Sequence, residues 1–340
     1  MKKLNIIIAL CVFISTISKS QDVVQEFLTS ATNDSQQLME GYLAPFGTFL
    51  GSGLNAGWYN TAKPHTFPGF DITAGVHFIT PNDEAMFFTP NLETLIIDPM
   101  TSQKIPTFLG SEQGVGIGYY DENNNFQELF ALEGIDYSGP VPMPYLQGSV
   151  GIIKDTEILF RYAPEITLQD NFKVGHWGVG IKHGIKQWIP GIKILPFDLS
   201  FVGGFSKLNG TSEFESDGQN LKIDVMALNS NIILSKKIAG FTPYIGLGYQ
   251  LSKSTLKLNG TFNEYDVESD SYELEDIDID MTFGGVNGFK ANMGARLKLL
   301  LFTIHVDWTM AEYNIFTVGI GLNSDIGSRI VKSIEKTVTE

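Results

Sequence analysis

The sequence predicts an all-β fold, a transmembrane antiparallel β-barrel of about twelve strands, or about fourteen, with a short helical and irregular N-terminal plug. Three observations predict it: an export signal, alternation of apolar and polar residues along most of the chain, and alternation of short and long connections. The composition fits, with 43% hydrophobic residues, 12% aromatic residues and 35 glycines. The formal net charge of −15 argues against a nucleic-acid partner, because phosphates require a basic surface.

Residues 1–20 have the organisation of a secretory signal peptide. Lys2 and Lys3 give a positive start, residues 4–17 are apolar, and Ser20 is the small residue before the predicted cleavage site. The apolar run is too short to span a bilayer of about 30 Å as a helix. We therefore expect the mature chain to be exported to the bacterial outer membrane.

Cys11 is the one cysteine of the chain. It lies in the predicted signal peptide, and Leu10 before it is not the small residue that the alternative, a lipoprotein signal, would need. The sequence therefore predicts a mature chain without disulfides or thiolate metal ligands, and we expect no bound metal and no cofactor.

Residues 21–68 are predicted to form a separate N-terminal segment. Apolar side chains in residues 22–43 have helical spacing, whereas residues 44–68 are rich in glycine, proline and asparagine and are predicted to be irregular. Because the apolar content needs burial, we expect the segment to fold back inside the barrel as a plug. The alternative is a periplasmic helix that only leads into the first strand. The side chains predicted to pack against lumenal glycines are Phe46, Phe49, Leu54, Trp58 and Tyr59.

Residues 69–328 are predicted to form the barrel. In 172–182, for example, Trp177 and Val179 face away from His176, and glycine recurs on the polar face, as a curved wall against a plug would require. The alternative, a soluble sandwich, seldom carries glycine on the polar face. The predicted strands are 70–79, 113–120, 126–133, 146–153, 156–163, 172–182, 193–206, 221–235, 241–258, 289–297, 301–309 and 314–322.

The connections between these strands give an independent indication. Short and long links alternate, as periplasmic turns and outer loops do in membrane barrels. The two strands within 113–133 have the weakest pattern. Residues 276–283 are either an extra strand or the base of a protruding hairpin. Residues 329–340 are predicted to be a periplasmic tail.

Charged residues on the inner face are predicted to form a polar network in the lumen, because unpaired charges there would be costly. No third ligand accompanies His305 and Asp307, so we predict no metal site. The predicted network residues are Asp71, His77, Arg161, His176, Lys182, Arg296, His305 and Asp307.

An acidic outer loop is predicted after the strand at 241–258. Its acids face water or, in the functional interpretation, divalent cations, although EF-hand spacing is absent. Lys253 and Lys257 are candidates to pair with some of them. The acids are Asp266, Glu268, Asp270, Glu273, Glu275, Asp276, Asp278 and Asp280. Phosphate-binding loops and nucleophile elbows are absent, so we expect no enzyme.

Five segments resemble an uncharacterised outer-membrane family of Bacteroidetes, known only as a domain of unknown function. They are APFG (44–47), GLNAGWYNTAKPH (53–65), GFD (69–71), GIKHGIKQWIP (180–190) and PYIGLGY (243–249). The resemblance implies an outer-membrane barrel and no known activity. The layout is more loosely similar to the long-chain fatty-acid transporter family (FadL-type), which implies fourteen strands and an N-terminal hatch. The Asn-Pro-Ala box of that hatch is replaced here by residues 53–57, without proline.

Two functions are compatible with this sequence. The first is a channel or uptake porin for small or hydrophobic solutes through a plugged lumen. The alternative is a non-transporting barrel that anchors or assembles surface or secretion machinery. Both have outer-membrane lipid and lipopolysaccharide as partners, and the first adds a hydrophobic small molecule in the lumen. An apolar outer surface, which suits a lipid-like ligand or a partner, is predicted from Phe87, Phe88, Leu92, Leu95, Ile96 and Ile97.

Overall fold

The computed structural model describes residues 33–137, 139–167, 172–192, 194–213, 219–266 and 271–324. The predicted signal peptide, residues 21–32 and the predicted tail lie outside them. None of the described helices combines the length and apolar character that a membrane-crossing helix needs. The elements are α1 (Asn33–Asn55), β1 (Phe70–Thr80), β2 (Phe87–Phe88), β3 (Ile96–Ile97), β4 (Ile105–Pro106), β5 (Val115–Tyr120), β6 (Phe126–Leu132), β7 (Val141–Gly151), β8 (Thr156–Thr167), β9 (Lys173–Gly184), β10 (Asp198–Glu213), β11 (Asn220–Ser235), β12 (Phe241–Asp266), β13 (Ser271–Thr282), β14 (Asn287–Leu299), β15 (Phe302–Met310) and β16 (Asn314–Ser324), with short 3-10 helices at Asp83–Met86 and Lys186–Trp188.

A closed antiparallel wall of ten strands dominates the fold. Its order is β1, β7, β8, β9, β10, β11, β12, β14, β15 and β16, and β16 pairs back to β1. The turns β7–β8, β9–β10, β11–β12 and β14–β15 lie at one end, the short-turn end. The other five connections lie at the opposite, long-loop end. The alternation of short and long connections therefore predicted correctly an all-β barrel with an even number of wall strands.

The predicted strands at 113–120 and 126–133 are real but do not belong to the wall, so the count of twelve or fourteen is wrong for the described residues. They form the hairpin β5–β6, which pairs with β3 in a separate small sheet of the loop between β1 and β7. The wall has no place for them, because β1 pairs directly with β7. Pro142 and Pro144 concealed the start of β7, since proline is unusual inside a sheet.

The wall is apolar outside and polar inside. On β9 the exposed fractions are 44% for Trp177 and 43% for Val179, whereas Lys182 is 2% exposed. On β15, Ile304 is 49% exposed and its neighbour His305 is 2% exposed. A soluble protein buries the opposite set. The alternation thus assigned the two faces of these strands as the structure has them.

Strands β12 and β13 form a hairpin that projects beyond the wall. The first part of β12 pairs with β14, from Phe241 to Leu251, and the later part pairs with β13, from Thr255 to Asp266. Residues 276–283 therefore belong to the base of a protruding hairpin, one of the two predicted alternatives. The hairpin continues the sheet at the long-loop end.

Helix α1 lies inside the barrel. It contacts β10, β11, β12 and also β1, which is five strands away from β11 around the ring, so it lies between opposite sides of the wall. The helix extends to Asn55, through the stretch from residue 44 that was predicted to be irregular. Its glycines are explained by close approach to the wall: a Cβ on Gly53 would lie 2.1 Å from Met143 Sδ. The glycine, proline and asparagine residues that predicted an irregular segment from residue 44 therefore belong, up to Asn55, to a helix that fits a narrow lumen.

Candidate functional site

The candidate site is the contact between the wall and residues 54–65, which we call the lumenal segment. Two wall cations bind the end of α1. Arg161 on β8 donates to the carbonyls of Leu54 (3.3 Å) and Ala56 (2.7 Å), and Lys290 on β14 donates to the Asn55 carbonyl (2.7 Å). The last carbonyls of a helix lack partners within it and carry partial negative charge. These cations therefore satisfy the helix end from two sides of the barrel.

Trp58 fills a niche that wall glycines create. A Cβ at Gly180 or Gly204 would lie 2.7 Å from its ring, closer than side chains pack. The indole Nε1 donates to the Leu54 carbonyl (3.0 Å), and the Arg161 guanidinium lies over the ring, with Cζ 4.3 Å from the centroid. Because glycine has no Cβ, Gly180 of β9 and Gly204 of β10 leave the space that the indole occupies.

The next residues are held by hydroxyl and amide groups. The Tyr59 hydroxyl donates to Asn292 Oδ1 (2.7 Å), and the backbone N–H of Ala62 donates to Ser235 Oγ (2.9 Å). Ser200 Oγ donates to the Ala62 carbonyl. The lumenal segment thus touches β10, β11 and β14 through polar atoms.

A buried ion pair fixes the end of the segment near the short turns. Glu157 Oε2 on β8 accepts from the His65 backbone N–H (2.9 Å) and lies 2.9 Å from Lys182 Nζ. Glu157 and Lys182 are 1% and 2% exposed. Such a pair is stable only while both partners are present, because either charge alone would be buried without compensation.

The other predicted network residues are buried too. Asn323 contacts His65 Nε2 and donates to Asp71 Oδ2 (2.9 Å), and this amide joins Asp71 to the Glu157–Lys182 pair through His65. Arg296 lies 3.2 Å from Asp71. The Tyr145 hydroxyl is 3.1 Å from His305 Nε2, and the Tyr145 ring stacks on His77. The Tyr244 hydroxyl donates to Asp307 Oδ2 (3.1 Å), and His77 Nδ1 lies 3.0 Å from the Thr317 hydroxyl.

The structure thus buries all eight residues predicted for the network, yet Arg161 binds the lumenal segment and not another wall charge. Several contributors are missing from the predicted set. Glu157 and Lys290 lie on the polar faces of strands that the alternation had found, so periodicity could have identified them. Tyr145 lies one residue before the predicted start of the strand at 146–153, which begins earlier, at Val141, in the structure. The unpredicted contributors are Glu157, Lys290, Tyr145, Tyr244, Gln147 and His65.

Apolar side chains close the lumen toward the long-loop end, in what we call the outer cluster. Phe46, a predicted plug residue, stacks on Phe283 with ring centroids 6.4 Å apart. Phe49 and Leu54 are buried in the same cluster. Its other members include Leu38, Met39 and Tyr42 of α1, Ile105, Phe108, Leu109, Phe130 and Leu132 of the loop, and Leu208, Leu221, Ile223, Leu256 and Leu258 of the wall.

The predicted apolar outer surface is wrong for most of its residues. Leu95 is 6% exposed, and Phe88 packs against Gly41 of α1. Leu92 and Ile97 also pack on the outer cluster, whereas Phe87 is 43% exposed. Most apolar side chains of this loop cover helix α1. A sequence pattern cannot distinguish such a covering loop from an exposed apolar patch.

Asp34 joins the start of α1 to this loop. Its carboxylate accepts the backbone N–H groups of Glu93 (2.8 Å), Thr94 and Leu95 (both 2.7 Å). Burial acts to raise the pKa of Asp34, but the three donors more than offset it, and the pKa is lowered from its usual value. The carboxylate therefore stabilises the loop in its charged form.

The predicted acidic loop lies on the protruding hairpin. Lys257 pairs with Asp280, and Asn259 Nδ2 donates to Asp278 Oδ1 (2.6 Å). Within the described part of the chain, no group of three or more His, Cys, Asp or Glu residues is arranged for a metal ion. Of the remaining acids, Glu268 and Asp270 lie outside the described residues. The strands that carry the others are described without their side chains at these positions, which are Asp266, Glu273, Glu275 and Asp276.

The chain matches the model of a family of unknown function (DUF6588) over residues 1–324. No curated protein is significantly similar to it. The resemblance to a family of unknown function is thereby confirmed, whereas an origin in Bacteroidetes and a likeness to fatty-acid transporters are not shown.

Among solved structures, the similar folds are outer-membrane barrels. The outer membrane protease OmpT from Escherichia coli has a TM-score of 0.36 and 7% identity, covering 76% of this chain and 98% of that one. The translocator domain of autotransporter NalP from Neisseria meningitidis has a TM-score of 0.26 and 9% identity, covering 80% and 90%. The outer membrane transporter YddB from Escherichia coli has a TM-score of 0.29 and 9% identity, covering 73% and 41%. Because these scores are below 0.5, the likenesses carry no functional argument.

Proposed function

The chain belongs to this family of unknown function (DUF6588), and we propose that it is an outer-membrane uptake channel for small or hydrophobic solutes, gated by its own N-terminal plug. The observation that carries the proposal is the chemistry of the lumenal segment. Arg161, Lys290 and Glu157 hold it through hydrogen bonds to its backbone. Water can replace such bonds at little enthalpic cost. The segment is therefore seated by contacts that are compatible with release.

The surface of the wall supports the membrane location. Large apolar side chains such as Phe160, Ile245, Leu247 and Ile320 are between 50% and 69% exposed on wall strands. In water, an apolar belt of this extent would drive aggregation, whereas in a bilayer it contacts the lipid chains. Outer-membrane lipid and lipopolysaccharide are the partners that such a surface fits.

One observation favours the second candidate, a non-transporting barrel that anchors surface machinery. The outer cluster closes the long-loop end with tightly packed apolar side chains, among them Leu109 and Leu132, which are 1% and 0% exposed. A solute that enters from this end would have to separate them. A permanently closed lumen would leave the loops as the functional surface.

Conductance across planar bilayers and solute uptake by liposomes separate the two candidates. A Cβ built on Gly51 of α1 would lie 2.7 Å from Ser252 Cβ on β12. Disulfides need about 3.8 Å between Cβ atoms, so a Gly51→Cys/Ser252→Cys pair can close after a shift of about 1 Å. We expect the oxidised pair to abolish current and uptake, and reduction to restore both.

Two controls complete this experiment. Ser252→Cys alone should respond to neither oxidant nor reductant, and a variant without residues 21–60 should conduct without gating. Equal current through the oxidised and reduced pair would contradict gating by the plug. Absence of current and uptake in the wild type and in the variant without residues 21–60 would contradict transport altogether and favour the anchor.

A further inference from the structure

A cleft with a volume of about 150 Å³ opens at the short-turn end, between the lumenal segment and the wall. Lys63 and His65 line it from the segment, and Lys237, Arg296 and Lys298 line it from the turn β11–β12 and from β14. It is separate from the outer cluster and from the contacts of α1. We propose that this cleft is a binding site for a small dissolved oxyanion, of the phosphate or carboxylate class.

The charge balance of the cleft is opposite to that of the chain. The chain has 38 acidic and 23 basic residues, yet four cationic side chains and one carboxylate, Asp198, line this cleft. Elsewhere, some cations have acidic partners, as Lys182 has Glu157 and Lys257 has Asp280, and others bind backbone carbonyls, as Arg161 and Lys290 do. Asp198 attracts both Lys63 and Lys237, but no ion pair within 4 Å joins it to either lysine among the described residues, so one carboxylate faces several cations. An anion is therefore the charge that this cleft lacks.

The polar atoms around the cleft fit an oxyanion. Arg296 is 6% exposed and uses one terminal nitrogen for Asp71, while its Nε has no hydrogen-bond partner within the described structure. An anion in the cleft that Arg296 lines would be attracted by the guanidinium charge, which Asp71 balances on one side only. Thr242 and Thr66 add hydroxyl groups to the lining. Arginine with hydroxyl donors is a common setting for phosphate and carboxylate.

The position of the cleft favours a dissolved anion over a lipid head group. Arg296 and Asn323 lie on the inner face of the wall, where they are 6% and 1% exposed, and not on the apolar belt that meets lipid. The lumenal segment supplies part of the lining, so the bound anion would contact both plug and wall. The inference holds whether or not the barrel conducts.

Isothermal titration calorimetry with inorganic phosphate tests the proposal, on the full chain in nanodiscs of zwitterionic lipid. Lys63→Gln and Lys237→Gln should each raise the Kd for phosphate by about two- to fivefold, because each removes one partly exposed charge. Lys236→Gln is the matched control: it removes the same charge from the same turn outside the cleft, and we expect its Kd to stay within about twofold of wild type.

Two results of the titration would overturn the proposal. One is absence of saturable phosphate binding. The other is an equal increase of the Kd in Lys236→Gln, since this would reveal attraction by overall charge and not binding in the cleft. Nanodiscs with anionic phosphatidylglycerol should leave the Kd unchanged at high salt. Competition by that lipid would assign the cleft to head groups. Conductance of the Lys63→Gln variant is measured in parallel. A change in its Kd for phosphate can then be distinguished from a change in gating by the plug.

Discussion

Arg161 of the wall and Trp58 of the lumenal segment form one structural unit. The guanidinium lies 4.3 Å from the centre of the indole ring and donates to the carbonyls of Leu54 and Ala56, on either side of the end of α1. Trp58 Nε1 donates to the same Leu54 carbonyl. One wall side chain therefore fixes both the end of the helix and the bulkiest residue that follows it.

Loss of Arg161 should release this unit. Arg161→Gln leaves the buried Ala56 carbonyl without its donor and removes one of the donors to the Leu54 carbonyl, which keeps Trp58 Nε1. We expect a loss of about 1–3 kcal/mol in the free energy of unfolding, the cost of one unsatisfied buried group. Denaturant titration of the refolded protein in detergent measures it. Lys236→Gln, on an exposed turn, is the control. Equal stability of the two variants would show that Arg161 does not anchor the segment.

The niche for Trp58 predicts a contrast between two glycines. Gly180→Ala places a Cβ 2.7 Å from the ring, and we expect a loss of about 1–3 kcal/mol from overpacking, with a changed fluorescence spectrum of Trp58. Gly148→Ala, also on a wall strand, meets nothing within 4 Å and should cost little. Similar losses in both variants would exclude steric contact with the indole as the cause.

The pair of Glu157 and Lys182 predicts strong coupling between two substitutions. Glu157→Gln leaves the Lys182 ammonium buried without its counterion, for an expected loss of about 3–5 kcal/mol. Lys182→Met in the same chain removes the stranded charge and should restore part of it. A double-mutant cycle by denaturant unfolding measures the coupling. Additive losses would mean that the two charges do not depend on each other.

The faces of the wall could be predicted from the sequence, whereas the contacts inside the lumen could not. Period-2 alternation assigns Trp177 and Lys182 to opposite faces, because side chains of a strand alternate strictly. It cannot say which strands pair, so the hairpin β5–β6, amphipathic as well, was placed in the wall. Arg161 was assigned to the lumen, but two of its acceptors are backbone carbonyls, which leave no signature in a sequence, and the third is the Gln147 side chain.

Asp34 predicts a pH dependence at the long-loop end. Its pKa is lowered in the folded chain, so its contribution is complete above the unfolded pKa near 3.9 and is lost as the pH falls through the folded pKa. Asp34→Asn should cost about 1–2 kcal/mol at pH 7 and less at pH 2. Unfolding of both proteins at the two pH values measures this. An equal cost at both would show that the charge is irrelevant.

Every conclusion about the lumen depends on which face of the wall meets lipid and which faces the interior. One pair of adjacent residues tests this most directly. Ile304 is 49% exposed and Thr303 is 1% exposed on β15. Nitroxide labels on Ile304→Cys and Thr303→Cys, in liposomes, report collisions with oxygen, which concentrates in lipid, and with a water-soluble nickel chelate. We expect high oxygen and low nickel accessibility at 304, and low oxygen accessibility at 303. High nickel accessibility at 304, or the reverse assignment of the two labels, would contradict a membrane-facing apolar belt.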